Sequence, residues 1–328
     1  MPRVLVLGEA EVTEALPMTE CIEAMAAVLA AHARNEVHQP LRSVTMPPSS
    51  EGFLGLMPAH RAGERPLFAL KAVCVFPGNP ARGLDAHQGT VTLFDGTTGE
   101  PTAILNASAV TAIRTAAVSA LATRELAADD ARELAVLGAG VQARAHLRAI
   151  PVVREIERVR IYSPTREHAD RLAEETSEIR RVEVADSAES ALQGADVVVT
   201  ATSSREPVLR REWIAPGAHV NAVGASVPTA RELDTATVAA SSLFADSRES
   251  LLNEAGEYQL ALREAAIDGP DHIRAELGEV VAGMHPGRSD RDEVTLFRSL
   301  GLAIEDLAAA ELAVENALRR RTGVEVTL

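Results

Sequence analysis

The feature of the sequence that most restricts its fold is a glycine-containing turn between an apolar run and a helical pattern. Residues 134–147 read LAVLGAGVQARAHL. Gly138 permits a tight turn, Gly140 allows backbone N–H groups to approach a pyrophosphate, and the small Ala143 suits close packing of the helix on the strand. The N-terminus of the helix offers unpaired N–H groups to the anion. This arrangement predicts a dinucleotide-binding site of the Rossmann type.

Strand and helix patterns alternate through the second half of the sequence. Alternation of this kind is typical of a doubly wound parallel sheet, so the glycine turn stands in the context that dinucleotide binding requires. The predicted strands of this half are Leu134–Leu137, Arg158–Tyr162, Val182–Val184, Val197–Ala201, Ala218–Val223 and Ser242–Ala245.

The first hundred residues follow a different pattern. A helical pattern runs from Glu9 to about Arg34, and an Asp95-Gly96 turn marks a hairpin. Short, turn-bounded runs of β-forming residues predict a mostly antiparallel sheet with flanking helices. These predicted strands are Arg42–Met46, Phe53–Met57, Phe68–Phe76, Gly89–Phe94 and Pro101–Leu105.

The last helical segment, Leu300–Leu318, is expected to pack back on the first domain. The predicted fold is therefore α/β, with a Rossmann domain over 116–304 and an α+β domain formed by 1–115 and 305–328. The length agrees with this division, because 328 residues suffice for two domains that each bury a core.

Composition excludes several classes of protein. A net charge of −15 would repel nucleic-acid phosphates and anionic lipids, and aromatic residues, at 3%, are too few for base stacking. No apolar run is long enough to span a bilayer. Cys21 and Cys74 suffice for neither a disulfide framework nor a metal site. We expect a cytoplasmic protein with no metal and with no nucleic-acid or membrane partner.

The segment after the second Rossmann strand indicates which cofactor binds. Strand Arg158–Tyr162 is followed by Ser163, Pro164, Thr165 and Arg166, whereas NAD-selective sites usually carry an acid at this point. Hydroxyl groups and an arginine suit a 2′-phosphate, so NADPH is expected in preference to NADH. In the alternative interpretation, Ser163 caps the next helix, Pro164 lies in its first turn and Arg166 is solvated.

Three basic residues of the first domain, Arg42, Lys71 and Arg114, stand in apolar or β-like surroundings. Arginine captures a carboxylate through two hydrogen bonds, and lysine supplies a point charge whose pKa shifts on burial. Together they would hold the carboxylate of a small amino or imino acid, and His87 would donate to a cofactor phosphate or ribose. The alternatives are a lysine at a sheet edge, an arginine in a simple ion pair and a histidine bonded within a turn.

Taken together, these motifs resemble the ornithine cyclodeaminase/mu-crystallin family. The resemblance runs from about residue 50 almost to the C-terminus, and VNAVGASVPTARELD is most similar to the mu-crystallin, or ketimine reductase, branch. The matching segments are FLGLMPAH, ALKAVCVF, AHQGTVTLFD, TAIRTAAVSALAT, LGAGVQARAH, GAHVNAVGASVPTARELD, FADSRES, ELGEVVAG and LFRSLGLAIEDLAAAEL.

The resemblance implies roles for the domains and for single residues. The discontinuous domain would bind substrate and form a homodimer, with Arg42, Lys71 and Arg114 on the substrate carboxylate and Lys71 near the reacting nitrogen. Family members contact the cofactor at the positions of Ala139, Val141, Gln142, Ser163, Thr165, Thr202, Val223 and Ser299. The predicted cofactor site further includes His87, Arg114, Gly138, Gly140 and Arg166.

One position departs from the family pattern. Ser226 stands where cyclodeaminases and alanine dehydrogenases carry an Asp, and a neutral serine can only relay a proton or hydrogen-bond. We therefore expect an NADPH-dependent reductase of small cyclic ketimine carboxylates, with Lys71 and Ser226 as candidate catalytic residues. The alternatives are an ornithine or lysine cyclodeaminase, an alanine dehydrogenase, and a non-enzymatic NADPH-dependent binding protein.

Overall fold

The computed structural model describes residues 3–176, 181–224 and 228–327. The α/β class expected from the sequence is confirmed. The strands are β1 (Arg3–Leu7), β2 (Val37–His38), β3 (Ser43–Thr45), β4 (Phe53–Arg61), β5 (Leu67–Val75), β6 (His87–Asp95), β7 (Pro101–Asn106), β8 (Glu133–Leu137), β9 (Arg158–Tyr162), β10 (Val182–Val184), β11 (Val197–Thr200), β12 (His219–Ala222), β13 (Ser242–Ala245), β14 (Ile273–Glu276), β15 (Thr295–Arg298) and β16 (Val324–Thr327). The helices are α1 (Glu9–Ala15), α2 (Met18–Ala33), α3 (Ala107–Leu126), α4 (Val141–Val153), α5 (Arg166–Glu175), α6 (Ala188–Leu192), α7 (Thr235–Ala240), α8 (Arg248–Glu254), α9 (Gly256–Arg263), α10 (Leu277–Val281) and α11 (Ala303–Arg320).

The chain divides into two compact units. The first unit comprises Met1–Arg114 and Gly301–Leu328, and the second comprises Thr115–Leu300, so the first break lies within α3. The division expected from the sequence had its breaks at 115/116 and 304/305. Among the described residues, no helix combines the length and apolar character needed to cross a bilayer.

The first unit is built on a mixed sheet with the strand order β16-β1-β7-β6-β5-β4-β2, and β3 pairs with β4. β1 and β7 run parallel, and the other pairs are antiparallel. The expected hairpin joins β6 to β7, where Asp95 Oδ1 accepts hydrogen bonds from the N–H groups of Thr97 and Thr98 at 2.9 and 2.8 Å. The exposed strand β16 was not predicted.

The N-terminal helical segment is broken in two. The prediction of one helix from Glu9 to about Arg34 is wrong, because α1 ends at Ala15 and α2 begins at Met18. Pro17 lies between them, and a proline both lacks an N–H donor and disfavours helical backbone in the residue before it. α11 packs against α1, α2 and the middle of the sheet, where it completes the core of this unit.

The second unit is a parallel sheet with the strand order β10-β9-β8-β11-β12-β15-β13-β14. Strands β11 and β12 are buried along their whole length, as expected for parallel strands covered on both faces. The order reverses at β8, since β9 and β10 lie on one side of it and β11 on the other. Such a switch point is where doubly wound sheets bind ligands.

Two strands of this sheet, β14 and β15, were not predicted from the sequence. Each has four residues, too few for a clear periodic signal, and β15 is buried throughout, so it lacks the alternation that marks a half-exposed strand. The Rossmann-type sheet itself is confirmed, and β9, β10 and β13 have the predicted bounds.

Asn316 joins α11 to the break between α1 and α2, and replacing it with Ala tests this contact. Its Nδ2 donates to Ala15 O and to Glu20 Oε2, both at 2.9 Å, and the residue is 2% exposed. We expect Asn316→Ala to lower the free energy of unfolding by about 1–3 kcal/mol, because a buried acceptor loses its donor. The exposed Asn253 is the control, and its replacement should change stability by less than about 0.5 kcal/mol in the same urea denaturation. Equal losses would contradict the assignment.

Candidate functional site

The predicted cofactor residues of the second unit lie at one edge of its sheet, beyond the carboxyl ends of neighbouring parallel strands. Gly138 follows β8, Ser163 follows β9, Val223 follows β12 and Ser299 follows β15. Thr202 lies two residues beyond the end of β11. Because the strand order reverses at β8, this is the edge at which a dinucleotide is expected.

The glycine turn leaves open space at the N-terminus of α4. Gly138 has φ +121°, and a Cβ there would lie 2.4 Å from Ala201 O, so the turn itself requires glycine. Gly140 has φ −87°, and a Cβ there would meet no described atom within 4 Å. The fold therefore does not need glycine at 140, whereas a closely approaching pyrophosphate would. Ala143 is fully buried, as the expected contact of helix and strand requires.

Other features of this edge fit a dinucleotide. Gln142 Oε1 and Ser299 Oγ are buried and have no hydrogen-bond partner among the residues that the structure describes. Unpaired polar atoms in buried positions are rare and costly, so a ligand that pairs with them is expected. Val141 opens α4 with 55% of its surface exposed, and Ala139 beside it is half-buried.

A fully buried acid, Glu232, holds together the loops that follow β11 and β12. Its carboxyl oxygens accept hydrogen bonds from Thr202 N–H (2.6 Å), Thr202 Oγ1 (2.7 Å), Thr200 Oγ1 (2.8 Å) and Gly224 N–H (2.7 Å). Burial raises the pKa of Glu232, and the bonds from Thr202 oppose this change. A Cβ at Gly224 would lie 2.1 Å from Thr202 O, so the two loops approach closely.

The segment after β9 differs from one interpretation of the sequence. α5 begins at Arg166, with Thr165 before it and no side-chain cap, so the alternative in which Ser163 caps the helix is wrong. Arg166 Nη1 lies 2.6 Å from Asp186 Oδ1, and both side chains are mostly exposed. Exposed ion pairs contribute little to stability, so exchanging Asp186 for another anion at Arg166 would cost little.

In the first unit, Lys71 lies on β5 between β4 and β6, and it is 4% exposed. The alternative of a lysine at a sheet edge is therefore wrong. Its partners across the sheet are the apolar Met57 and Val91, and its Nζ lies 3.2 Å from Asp306 Oδ1. Desolvation by burial lowers the pKa of Lys71 from 10.5 to about 8, although the charge of Asp306 opposes this change.

Arg114 contacts the same carboxylate. Its Nε lies 3.0 Å from Asp306 Oδ1, and its Nη1 lies 2.5 Å from Glu305 Oε2, so the ion pairs considered as an alternative are present. Both acids stand in the first turn of α11, where the helix dipole favours negative charge. Gly301 has φ +80°, and a Cβ there would lie 2.6 Å from Arg114 Nη1, so glycine makes room for the guanidinium.

Arg42 and His87 belong to the same cluster. Arg42 Nη2 donates to Gly301 O at 2.9 Å, so the three predicted substrate-binding bases converge on the start of α11. Desolvation and the charge of Lys71 lower the pKa of His87, which opens β6. Ser226, the other candidate catalytic residue, lies outside the described residues.

The sequence matches the ornithine cyclodeaminase/mu-crystallin family over residues 3–321. The chain belongs to this family. Within it, the ketimine reductase mu-crystallin of Rattus norvegicus is 41% identical over 280 residues, which are 85% of each protein. The solved structure of Thermococcus litoralis Delta(1)-pyrroline-2-carboxylate reductase, in complex with NADH and L-proline, has a TM-score of 0.95 and 38% identity, over 98% of this chain and 100% of that one. An archaeal alanine dehydrogenase dimer with bound NAD has a TM-score of 0.93 and 32% identity, over 99% of each chain.

Three acids of this family member were not predicted from its sequence as site residues, namely Glu232, Glu305 and Asp306. All three stand in segments that carry the family resemblance, RELD and SLGLAIED, so the signal was present without an assigned role. The composition holds a further signal, which concerns Lys71. This residue is the only lysine in a sequence with 31 arginines, and so rare a residue type at a buried position indicates a specific role.

Substitutions of Gly138 and Gly140 distinguish a glycine that the fold requires from one that ligand binding requires. Gly138→Ala should cost at least about 1 kcal/mol of stability, because its positive φ and the nearby Ala201 O exclude a side chain. Gly140→Ala should leave stability within about 0.5 kcal/mol of the wild type. It should nevertheless weaken binding of the reduced nicotinamide cofactor about tenfold or more, measured by fluorescence titration with NADH and with NADPH, because the methyl group would occupy the space of the pyrophosphate. Unchanged affinity for both cofactors in Gly140→Ala would exclude this turn as the phosphate site.

Proposed function

We propose that this chain is an NADPH-dependent reductase of the C=N bond of small cyclic ketimine carboxylates, such as pyrroline-2-carboxylate or piperideine-2-carboxylate, with L-amino acids as products. One observation carries it: the convergence of Arg42, Lys71 and Arg114 on the start of α11. Supporting it, the chain is 41% and 38% identical to proteins named ketimine reductase and pyrroline-2-carboxylate reductase.

The charges of the cluster favour a substrate with a single carboxylate. Arg42, Lys71 and Arg114 supply three positive charges and Glu305 and Asp306 two negative ones, which leaves one positive charge. A monocarboxylate would neutralise it, and the planar guanidinium groups suit bidentate binding. A dicarboxylate would bring a second negative charge close to two buried acids.

Reduction of a C=N bond needs a proton at nitrogen while hydride reaches carbon. When bound, the nicotinamide would supply the hydride. Lys71 suits the proton, because its pKa of about 8 leaves the ammonium charged at pH 7 and yet able to release a proton to the imine nitrogen. Solvent would then reprotonate Lys71, and Ser226 is the second candidate donor.

The preference for NADPH is inferred from the residues that follow β9. Ser163, Thr165 and Arg166 supply hydroxyl groups and a guanidinium, and no acid follows the strand before Glu167. Gly140 and the N-terminus of α4 would hold the pyrophosphate. The solved relatives named above hold NADH and NAD, so both reduced cofactors need to be measured.

We further infer a homodimer formed through the first unit's sheet. Leu54, Leu56, Phe68 and Leu70 lie on the face of β4 and β5 opposite to the Lys71 side chain, with Leu54 and Phe68 36% and 46% exposed. Antiparallel sheets usually carry polar residues on an exposed face, and contiguous apolar patches mark interfaces. The alanine dehydrogenase similar to this chain is a dimer.

The proposed activity is tested by NADPH oxidation with pyrroline-2-carboxylate and piperideine-2-carboxylate. We expect turnover with both, and a higher kcat/KM with NADPH than with NADH. Ammonia release from ornithine without ketimine reduction would favour the cyclodeaminase alternative. Tight NADPH binding with neither reaction would favour a binding protein.

Substitutions of Lys71 test the proton step. Lys71→Met should lower kcat by about 10²–10⁴-fold, because charge and proton are both lost, while the Kd for NADPH stays the same. Lys71→Arg keeps the positive charge, but a guanidinium does not release its proton. This variant should therefore bind substrate more tightly than Lys71→Met and should still have a low kcat. A wild-type kcat in Lys71→Arg would remove Lys71 from proton transfer.

The dimer is tested by Phe68→Glu, which places a charge in the exposed apolar face. Light scattering should give the mass of one chain for this variant and of two for the wild type. The exposed Met284 of the second unit provides the control, and Met284→Glu should remain dimeric. A dimeric Phe68→Glu would place the interface elsewhere.

A further inference from the structure

We propose that Asp306 is a positioning residue for this reaction, whose Oδ1 fixes the Lys71 ammonium beside Arg114 and keeps the lysine charged for the substrate. This role rests on the proposed function. The contacts are Lys71 Nζ–Oδ1 at 3.2 Å and Arg114 Nε–Oδ1 at 3.0 Å, between side chains that are at most 4% exposed.

The hydrogen bonding of Asp306 indicates more than a stabilising role. One oxygen serves two cations, whereas Oδ2 is buried with no partner among the described residues. Buried ion pairs rarely add stability over apolar residues of similar volume, and an unused carboxylate oxygen makes the cost greater. Glu305 also holds Arg114, so Arg114 has a second carboxylate, while the carboxylate in contact with Lys71 is Asp306.

The type of cation at position 71 supports the same conclusion. The other 31 Lys/Arg positions of the sequence are arginine. An arginine could form the same ion pair with Asp306, but it cannot release its proton under any working condition. A lysine at this one buried position indicates that release of its proton is part of the reaction. The negative charge of Asp306 favours the protonated form of Lys71 and so opposes loss of the proton before the reaction.

The charges around Lys71 come from several elements. The charges of Arg114 on α3 and Arg42 before β3 lower the pKa of Lys71, and the charge of Asp306 on α11 raises it. Desolvation and the charge of Lys71 lower the pKa of His87 on β6. The other titratable groups of the cluster are Cys21 on α2, whose pKa burial raises to about 12, and Glu305, which pairs with Arg114.

Because Lys71 is the only lysine, its protonation can be followed directly. Protein labelled with [ε-¹³C]lysine gives one lysine signal, whose titration needs no turnover. We expect Asp306→Asn to move the midpoint to a lower pH by about one pH unit or more, because an opposite charge has been removed. Glu305→Gln is the matched control and should move it by less than half as much. No shift in Asp306→Asn, or equal shifts in both variants, would overturn the assignment.

Kinetics of the holoenzyme give the second measurement. The alkaline limb of kcat/KM against pH should shift with the NMR midpoint in Asp306→Asn, with kcat at pH 7.5 about tenfold or more below the wild type and the Kd for NADPH unchanged. If this variant does not fold, Asp306→Glu keeps the charge but displaces it, so kcat should fall while the limb stays in place. A wild-type kcat in Asp306→Glu would contradict a positioning role. A shifted NMR midpoint in an enzyme that reduces no ketimine would instead refute the proposed function and leave the coupling of Asp306 to Lys71 standing.

Discussion

A carboxylate oxygen buried between a lysine and an arginine is the contact on which the first unit depends. Asp306 is 235 residues from Lys71 and 192 from Arg114, so the contact joins the end of the chain to its beginning. Without it, charges within the core would be uncompensated, at a cost of several kcal/mol each. The contact of Asp306 with Lys71 and Arg114 therefore both positions α11 and forms part of the substrate site that we propose.

The second unit uses a buried acid in a different way. Glu232 contacts backbone N–H groups and hydroxyls instead of cations, and it draws together the loops after two neighbouring strands. Each hydrogen bond compensates part of the desolvation of the carboxyl group, so the loops can approach closely at the sheet edge. In both units, a buried acid without direct chemical action supports the residues to which we assign binding or catalysis.

The parts of the fold that depend on neighbouring residues could be predicted from the sequence. The glycine turn, the hairpin at Asp95 and several Rossmann strands belong to this class, because their signals lie within a few positions. Pro17 is a local signal too, but the apolar residues on both sides of it keep helical spacing, which conceals the break between α1 and α2. The partner of Lys71 could not be predicted, since nothing in a pattern of 47 acids indicates which one faces it. The sheet-edge alternative for this lysine failed for the same reason, because strand order depends on contacts between distant segments.

The discontinuity of the first unit also determines the order in which its parts become available during translation. All of the second unit leaves the ribosome before α11, so it can fold while the first unit still lacks its last helix. Until α11 has been synthesised, Lys71 and Arg114 lack the carboxylates of Glu305 and Asp306 that they contact in the complete fold. A chain whose synthesis stops before residue 301 thus contains every residue of the second unit but lacks the part of the first unit's core that α11 supplies.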